Sequence, residues 1–210
     1  MEQDENKRAR IISAAIEVFC ASGYEAATMA DVAAKAGVAK GTLYLYFDSK
    51  ESLFKETYRL CYEQRAAACS AHVDEVSGAL DKLCLRLKNG TRWELECPLK
   101  NRLERVYLAH PRFGERERSK ALGMRAQGVE EIFSQGIANG ELRDLPPALM
   151  EEMYYRLGSA LYYYLEEHPE AEKDEGLWAK FTNSLRACLG MQNADCRNHP
   201  VQRIEGGKKL

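Results

Sequence analysis

The stretch Met29 to Phe47, MADVAAKAGVAKGTLYLYF, constrains the fold more than any other part of the chain. Two short runs of helix formers flank Gly37, which can take a positive φ angle cheaply and so lets the chain turn sharply. Thr28 stands where an N-cap is needed, its hydroxyl placed to accept a free backbone N–H of the first turn. Met29, Val32, Ala33 and Ala36 make one apolar stripe, and Val38 follows the turn as a plug between the two helices. In the second run Leu43 and Phe47, four apart, face inward. Gly41 and Leu45 lie on the opposite side, with Thr42 and Tyr44 on the flanks.

Helical periodicity continues along nearly the whole chain, and no stretch shows convincing alternation of β-branched residues. The fold class is all-α, with about nine helices. Ile12, Ala15, Ile16 and Phe19 give a first helix one apolar face, closed at Ser22-Gly23. Asp48-Ser49 ends the second short helix, and Ser49 caps a longer one running from Lys50 to about His72. GALDKLCLRLKNG, LKNRLERVYLAH, SKALGMRAQGVEEIFSQGIANG, PALMEEMYYRLGSALYYYLEE and EGLWAKFTNSLRACLGM each read as amphipathic helices. Gly90, Pro98, Pro111, Gly140 and Pro146-Pro147 punctuate them. The segment 193–210 has little to bury and is expected to be a disordered tail.

With 210 residues, 45% of them apolar and 30% charged, the chain can bury a substantial core. No segment reaches the roughly 18 to 20 unbroken apolar residues of a membrane span. The charged start MEQDENKRAR does not read as a signal peptide, so the expected location is the cytoplasm, with no membrane partner. Seven cysteines without a C-x-x-C pair fit reduced thiols. The four histidines are isolated, so neither a metal site nor a cofactor is expected. No H-E-x-x-H, G-x-S-x-G or P-loop is present, and the reading is that the protein is not an enzyme.

A net charge of −2 excludes a polycation that coats nucleic acid indiscriminately. Between Lys7 and Lys50, however, six bases stand against four acids. Two short helices joined by a glycine turn, the second presenting small, hydroxyl and basic residues, form a helix-turn-helix unit whose second helix can enter the major groove. Lys40 offers charge, and Thr42, Tyr44 and Tyr46 offer hydroxyls, to phosphate oxygens. An exposed Leu45 would contact a thymine methyl or pack on the following helix. The same spacing also fits a packed helical corner that never meets DNA.

The segment from about Lys7 to Phe54, with GYEAATMADVAAKAGVAKGTLYLYFDSKESLF as its body, resembles the N-terminal domain of TetR-family transcriptional regulators. The resemblance lies in the Gly-Tyr after the first helix, Thr28, Ala33, Gly37, Val38, GTLYLYF and Ser49-Lys50-Glu51. It implies a homodimeric, ligand-responsive regulator, usually a repressor, that binds double-stranded DNA at a palindromic operator and is released by a small effector, apolar or aromatic. It implies a helix-turn-helix domain over residues 1–52 and a helical effector-binding and dimerisation domain over 53–192. Thr28, Lys40, Thr42, Tyr44, Tyr46 and Lys50 would contact the DNA backbone, and Ala39, Lys40 and Gly41 would lie nearest the bases. Because Ala39 and Gly41 offer few base-specific hydrogen bonds, Lys40 is the main reader of guanine, beside indirect readout of DNA shape. Lys7, Arg8 and Arg10 would touch phosphates or stay solvated.

Beyond the first quarter the resemblance extends only to helical layout. The helices around MYYRLGSALYYYLEEH and GLWAKFTNSLRACLG fall where such relatives place their dimer seam. Met153, Leu157, Ala160, Leu161, Tyr164, Phe181, Leu185 and Cys188 are the interface candidates, unless both stripes bury within one subunit. Trp93, Tyr107, Phe113, Tyr155 and Tyr162 are candidates for lining an effector pocket, with plain packing the alternative for each. Two other functions stay open: a DNA-binding regulator governed by a protein partner, and a helical carrier or enzyme using a tyrosine-rich cavity.

Overall fold

In the computed structural model, which describes residues 2–113 and 129–191, the chain is a set of packed α-helices. Among the described residues there is no strand, only an isolated antiparallel bridge between Leu142 and Gly190. Nor is any described helix long and apolar enough to cross a membrane. The helices are α1 (Glu2–Ala26), α2 (Met29–Ala36), α3 (Lys40–Tyr46), α4 (Lys50–Ser70), α5 (Ala79–Glu96), α6 (Pro98–Ala109), α7 (129–138), α8 (Pro147–Glu167) and α9 (Glu175–Leu189). The first half of the SKALGMRAQGVEEIFSQGIANG segment and the 193–210 tail lie outside the described residues.

Local chemistry sets the boundaries. Gly23, at φ 73° and ψ 172°, bends the end of α1 in a conformation that suits only glycine. Thr28 and Asp31 form a reciprocal capping box at α2: the Asp31 N–H donates to Thr28 Oγ1 at 3.1 Å, and the Thr28 N–H donates to Asp31 Oδ2 at 3.1 Å. Gly37 ends α2 in the left-handed region, and the Gly37 and Val38 N–H groups donate to carbonyls of the last turn of α2. Ser49 caps α4. Pro98 and Pro147 occupy first positions of α6 and α8, where a missing N–H costs nothing.

One boundary departs from the sequence expectation. Gly90 does not end a helix, since α5 runs through it to Glu96. It is buried where a Cβ would come 3.0 Å from Cys69 Sγ, so it serves the close approach of α5 to α4.

Two hydrophobic cores result. The first joins Ile11, Ala15 and Phe19 of α1 to Val32, Leu43, Phe47, Leu53 and Phe54, and extends past residue 52 to Cys61 of α4 and Leu103 and Tyr107 of α6. The second gathers Leu83 and Leu87 of α5 with Phe133, Met150, Tyr154, Leu161, Leu165, Trp178, Leu185 and Leu189. Phe54 is the hub of the first. Its ring centroid lies 4.6 Å from Phe19, 4.9 Å from Tyr24, 4.9 Å from Tyr107 and 5.6 Å from Phe113. Tyr107 in turn stacks on Tyr58 at 4.0 Å.

An ionic network clamps the start of α1 to α4. Glu56 accepts hydrogen bonds from Arg59 and from Arg8, and Arg59 also pairs with Glu63. Arg59 and then Arg8 hold the Glu56 carboxyl at about 2, below its ordinary 4.5, against a smaller opposing effect of burial.

Truncating Phe54 to Ala should cost about 3–5 kcal/mol of unfolding free energy, because the rigid surrounding rings cannot close the cavity; chemical denaturation of the purified protein measures it. Because Glu56 titrates lower in the folded state, its pairing stabilises fully above its ordinary value and is lost as pH falls toward about 2. The melting-temperature gap between wild type and Glu56→Gln should therefore be constant above about pH 5 and shrink between about pH 4.5 and 2.

Candidate nucleic-acid interface and ligand cavity

The orientation of α3 follows from two side chains. Leu43 and Phe47 are buried in the first core, which turns the opposite side of the helix outward. Ala39, Lys40, Gly41, Tyr44 and Leu45 are exposed, while Thr42 and Tyr46 are half-buried. Leu45 is 84% exposed, so it does not pack on the following helix. A Cβ built on Gly41 would meet nothing within 4 Å, so the space over that backbone is open to an approaching molecule.

The neighbouring bases are mostly spent on holding this unit in place. Arg10 donates from Nη2 to the Ala36 carbonyl at 2.6 Å, satisfying an orphan acceptor at the end of α2. Lys50 donates to the carbonyls of Tyr24 (2.7 Å), Glu25 (3.1 Å) and Ala27 (3.0 Å), and its ammonium sits 4.4 Å from the centroid of the Tyr24 ring. Lys35 pairs with Glu17 at 2.6 Å. Tyr46 donates its hydroxyl to Asp4, and Thr28 is engaged in its capping box. The sequence expectation for Lys50, Tyr46, Arg8 and Arg10 was contact with phosphate or solvent. In the structure each of the four has an intramolecular partner. Lys40 stays exposed, without an ion pair among the described residues.

The five residues suggested as pocket lining do not come together. Tyr107 and Phe113 belong to the first core. Tyr162 is buried, its hydroxyl donating to Glu166 at 2.7 Å and Arg105 lying 5.7 Å from its ring centroid. Trp93 is buried on α5. Tyr155 alone of the five lines a cavity of about 130 Å3 between α4, α5 and α8, walled by Arg65, Arg86, Leu87, Gly90, Tyr154 and Gly158 among others. The Tyr154 hydroxyl donates to the Leu83 carbonyl at 3.1 Å, which presents its ring rather than its polar end.

Arg65 and Glu104 are the residues that the sequence reading missed. Arg65 Nε donates to both Glu104 carboxylate oxygens at 3.0 and 3.1 Å, with the side chains only 12% and 4% exposed. Burial works most strongly against the Arg65 charge, and Glu104, Cys69 and Glu94 together more than offset it, so the guanidinium is held more firmly protonated. The available signal was the spacing of Tyr58, Cys61, Arg65 and Cys69, which puts one arginine in line with an apolar stripe.

On α8 and α9 the interface candidates divide. Leu161 of α8 and Leu185 of α9 are 4% and 0% exposed inside the protomer's own second core, where α5, α8 and α9 pack on one another. Met153, Leu157, Phe181 and Cys188 are half-buried, and Ala160 and Tyr164 are exposed. Leu149, Tyr163 and Met191 add further exposed apolar surface on these two elements and at their end.

Residues 11–57 match the family model for bacterial regulatory proteins of the tetR family. The fatty acid metabolism regulator protein of Bacillus subtilis (strain 168) is 35% identical over 85 residues, 40% of this chain and 44% of that protein. The negative transcriptional regulator IcaR of the biofilm operon icaADBC of Staphylococcus aureus (strain Newman) is 24% identical over 144 residues, 69% of this chain and 66% of that one. The chain thus spans less than two thirds of the length of either curated relative. A putative tetR family transcription regulator from Shewanella sp. PV-4 superposes with a TM-score of 0.75 at 26% identity, over 89% of this chain and 99% of that one. FadR from Bacillus subtilis, solved in complex with stearoyl-CoA, superposes at 0.71 and 22% identity, over 85% and 97%, and shares the fold. The N-terminal domain of the chain is thus similar to that of bacterial regulatory proteins of the tetR family, and the described all-α architecture is similar to that of these regulators.

Proposed function

We propose that the protein is a homodimeric transcriptional repressor that binds a palindromic operator and is released by a small effector. The observation that carries the reading is the outer face of α3, where Lys40, Gly41, Tyr44 and Leu45 are exposed while Leu43 and Phe47 seat the helix in the core and Arg10 and Lys50 tie down the ends of α2 and α1 beside it. A rigidly held, uncovered short helix with small residues at its start suits insertion into the major groove. Ala39, Lys40 and Gly41 would lie nearest the bases, and Thr42 and Tyr44 would reach phosphates. Thr28, Tyr46 and Lys50 would contribute through backbone positioning as much as through contact. Residues 1–52 would form the DNA-binding part and 53–192 the effector-binding and dimerisation part. The partly exposed apolar residues of α8 and α9 would meet their copies across a two-fold axis, which sets two recognition helices on successive half-sites about 34–36 Å apart.

The effector would occupy the cavity between α4, α5 and α8. Helix α4 begins beside α3 and ends at that cavity, so a ligand that shifts α4 changes the separation of the recognition helices. A coupling of about 1–3 kcal/mol would change operator occupancy roughly five- to 150-fold. A fatty-acyl effector is the second reading, favoured by the match to the Bacillus subtilis fatty acid metabolism regulator.

Selection from random duplex DNA with the full chain should enrich a palindrome, and affinity for it should fall steeply with salt. Lys40→Ala should weaken binding and reduce the salt slope by about one ion, if the residue touches phosphate, or relax one base position, if it reads guanine. Failure to enrich any site would overturn the reading.

A further inference from the structure

We infer that the effector is a small monocarboxylate that binds by drawing Arg65 away from Glu104. The inference rests on the reading of the α4–α5–α8 cavity as the effector site and adds the chemistry of what it takes.

The lining decides the class. Two guanidiniums, Arg65 and Arg86, line the cavity with one carboxylate, Glu94, while Glu104 pairs with Arg65, so an anion entering the cavity meets Arg86 and competes with Glu104 for Arg65. Among the described residues the hydrogen bonds of Arg65 go through Nε alone, to Glu104. Arg65 lines the cavity, and a guanidinium bonded through Nε can engage a second carboxylate through its other nitrogens, in the bidentate geometry it prefers. Arg86 is anchored through Nη1 to Ser70 Oγ at 2.8 Å, which holds a second cation at the rim. The rest of the wall mixes apolar and aromatic groups, Leu87 and the Tyr154 ring, with Cys69 and the hydroxyl-bearing Thr91 and Ser159, and Gly90 and Gly158 complete it. About 130 Å3 is well below the roughly 300–1,000 Å3 of cavities for drug-sized ligands. A carboxylate on a single ring or short chain suits this space, and a long acyl chain with a nucleotide does not.

The same arginine links the ligand to the DNA-binding unit. Glu104 lies on α6, one turn before Tyr107, which stacks on Tyr58 and contacts Phe54. Helix α6 is therefore held to α4 at two successive levels, one ionic and one aromatic. At its far end His110 reaches Glu25 at 3.1 Å and Arg112 reaches Glu51 at 2.6 Å, both on the DNA-binding side. A ligand carboxylate on Arg65 competes with Glu104 for one positive charge. It loosens the ionic tie while leaving the aromatic one, and so lets α6 move relative to α4 and α1.

Calorimetric titration of the full chain with benzoate and with hexanoate tests this, alongside stearoyl-CoA and operator binding by the same preparations. At least one of the two acids should bind, and Arg86→Gln should weaken it ten-fold or more. Glu104→Gln should tighten it about ten-fold, because the competing carboxylate is gone, and should reduce the ability of the ligand to release operator. If Glu104→Gln lowers the melting temperature but leaves acid affinity unchanged, Glu104 is only structural and the inference fails. It also fails if neither acid binds, or if stearoyl-CoA binds with both acids excluded. Operator binding that persists through such a failure leaves the regulator reading intact, whereas loss of specific DNA binding by wild type removes that reading itself.

Discussion

The contact on which the rest of this structure depends is the packing of Phe54 against rings from α1 and α6 at once. Phe19 and Tyr24 approach it from one side, Tyr107 and Phe113 from the other. Helices as short as α2 and α3 are not stable alone, since nucleation of so few turns is unfavourable in water. Their persistence depends on burial against α1 and α4, and Phe54 fixes the angle between those two. Because the same ring also seats α6, the helix-turn-helix shares its core with an element that follows it in sequence by about 50 residues. Disturbance of α6 is therefore felt where α3 is held.

Electrostatics reinforces that rigidity in a way that counting charges does not reveal. The excess of bases before Lys50 suggests a diffuse cationic surface, yet Arg8, Arg10, Lys35 and Lys50 all have protein acceptors. Arg10 and Lys50 sit at the carboxyl ends of α2 and α1, where orphan carbonyls and the negative end of the helix dipole favour a cation. These residues stabilise the corner. The charge left over for an outside partner falls to Lys7 and Lys40.

Much of this was legible in the sequence because it rests on local rules. Thr28, Gly37 and Ser49 act at fixed offsets from the residues they cap, and the inward face of Leu43 and Phe47 follows from helical period alone. What failed did so because it depends on packing between distant segments. Gly90 reads as a breaker until Cys69, from a different helix, is seen beside it. Tyr107 and Phe113 read as pocket aromatics because nothing local says that Phe54 will claim them. Leu161 and Leu185 carry the periodicity of a seam, but one stripe can bury against a neighbouring helix or a second subunit, and period does not distinguish them. Arg65 and Glu104 lie 39 positions apart, and only the fold makes them a pair.

That pair also explains why an ionic contact, rather than one more apolar one, lies between α4 and α6. A buried ion pair is nearly neutral for stability against a well-packed apolar alternative, because desolvation offsets most of its attraction. Breaking it without a replacement charge costs about 3–5 kcal/mol, so its state changes only when another charged group takes over the pairing, whereas an aromatic stack such as Tyr58 on Tyr107 is lost only by exposing apolar area. An arginine that can pair with an internal carboxylate or with an incoming one offers two arrangements. A ligand can shift an equilibrium only by its differential affinity for the two states. Arranging the competition at one guanidinium makes that difference large, while the Phe54 cluster keeps both arrangements within the same fold.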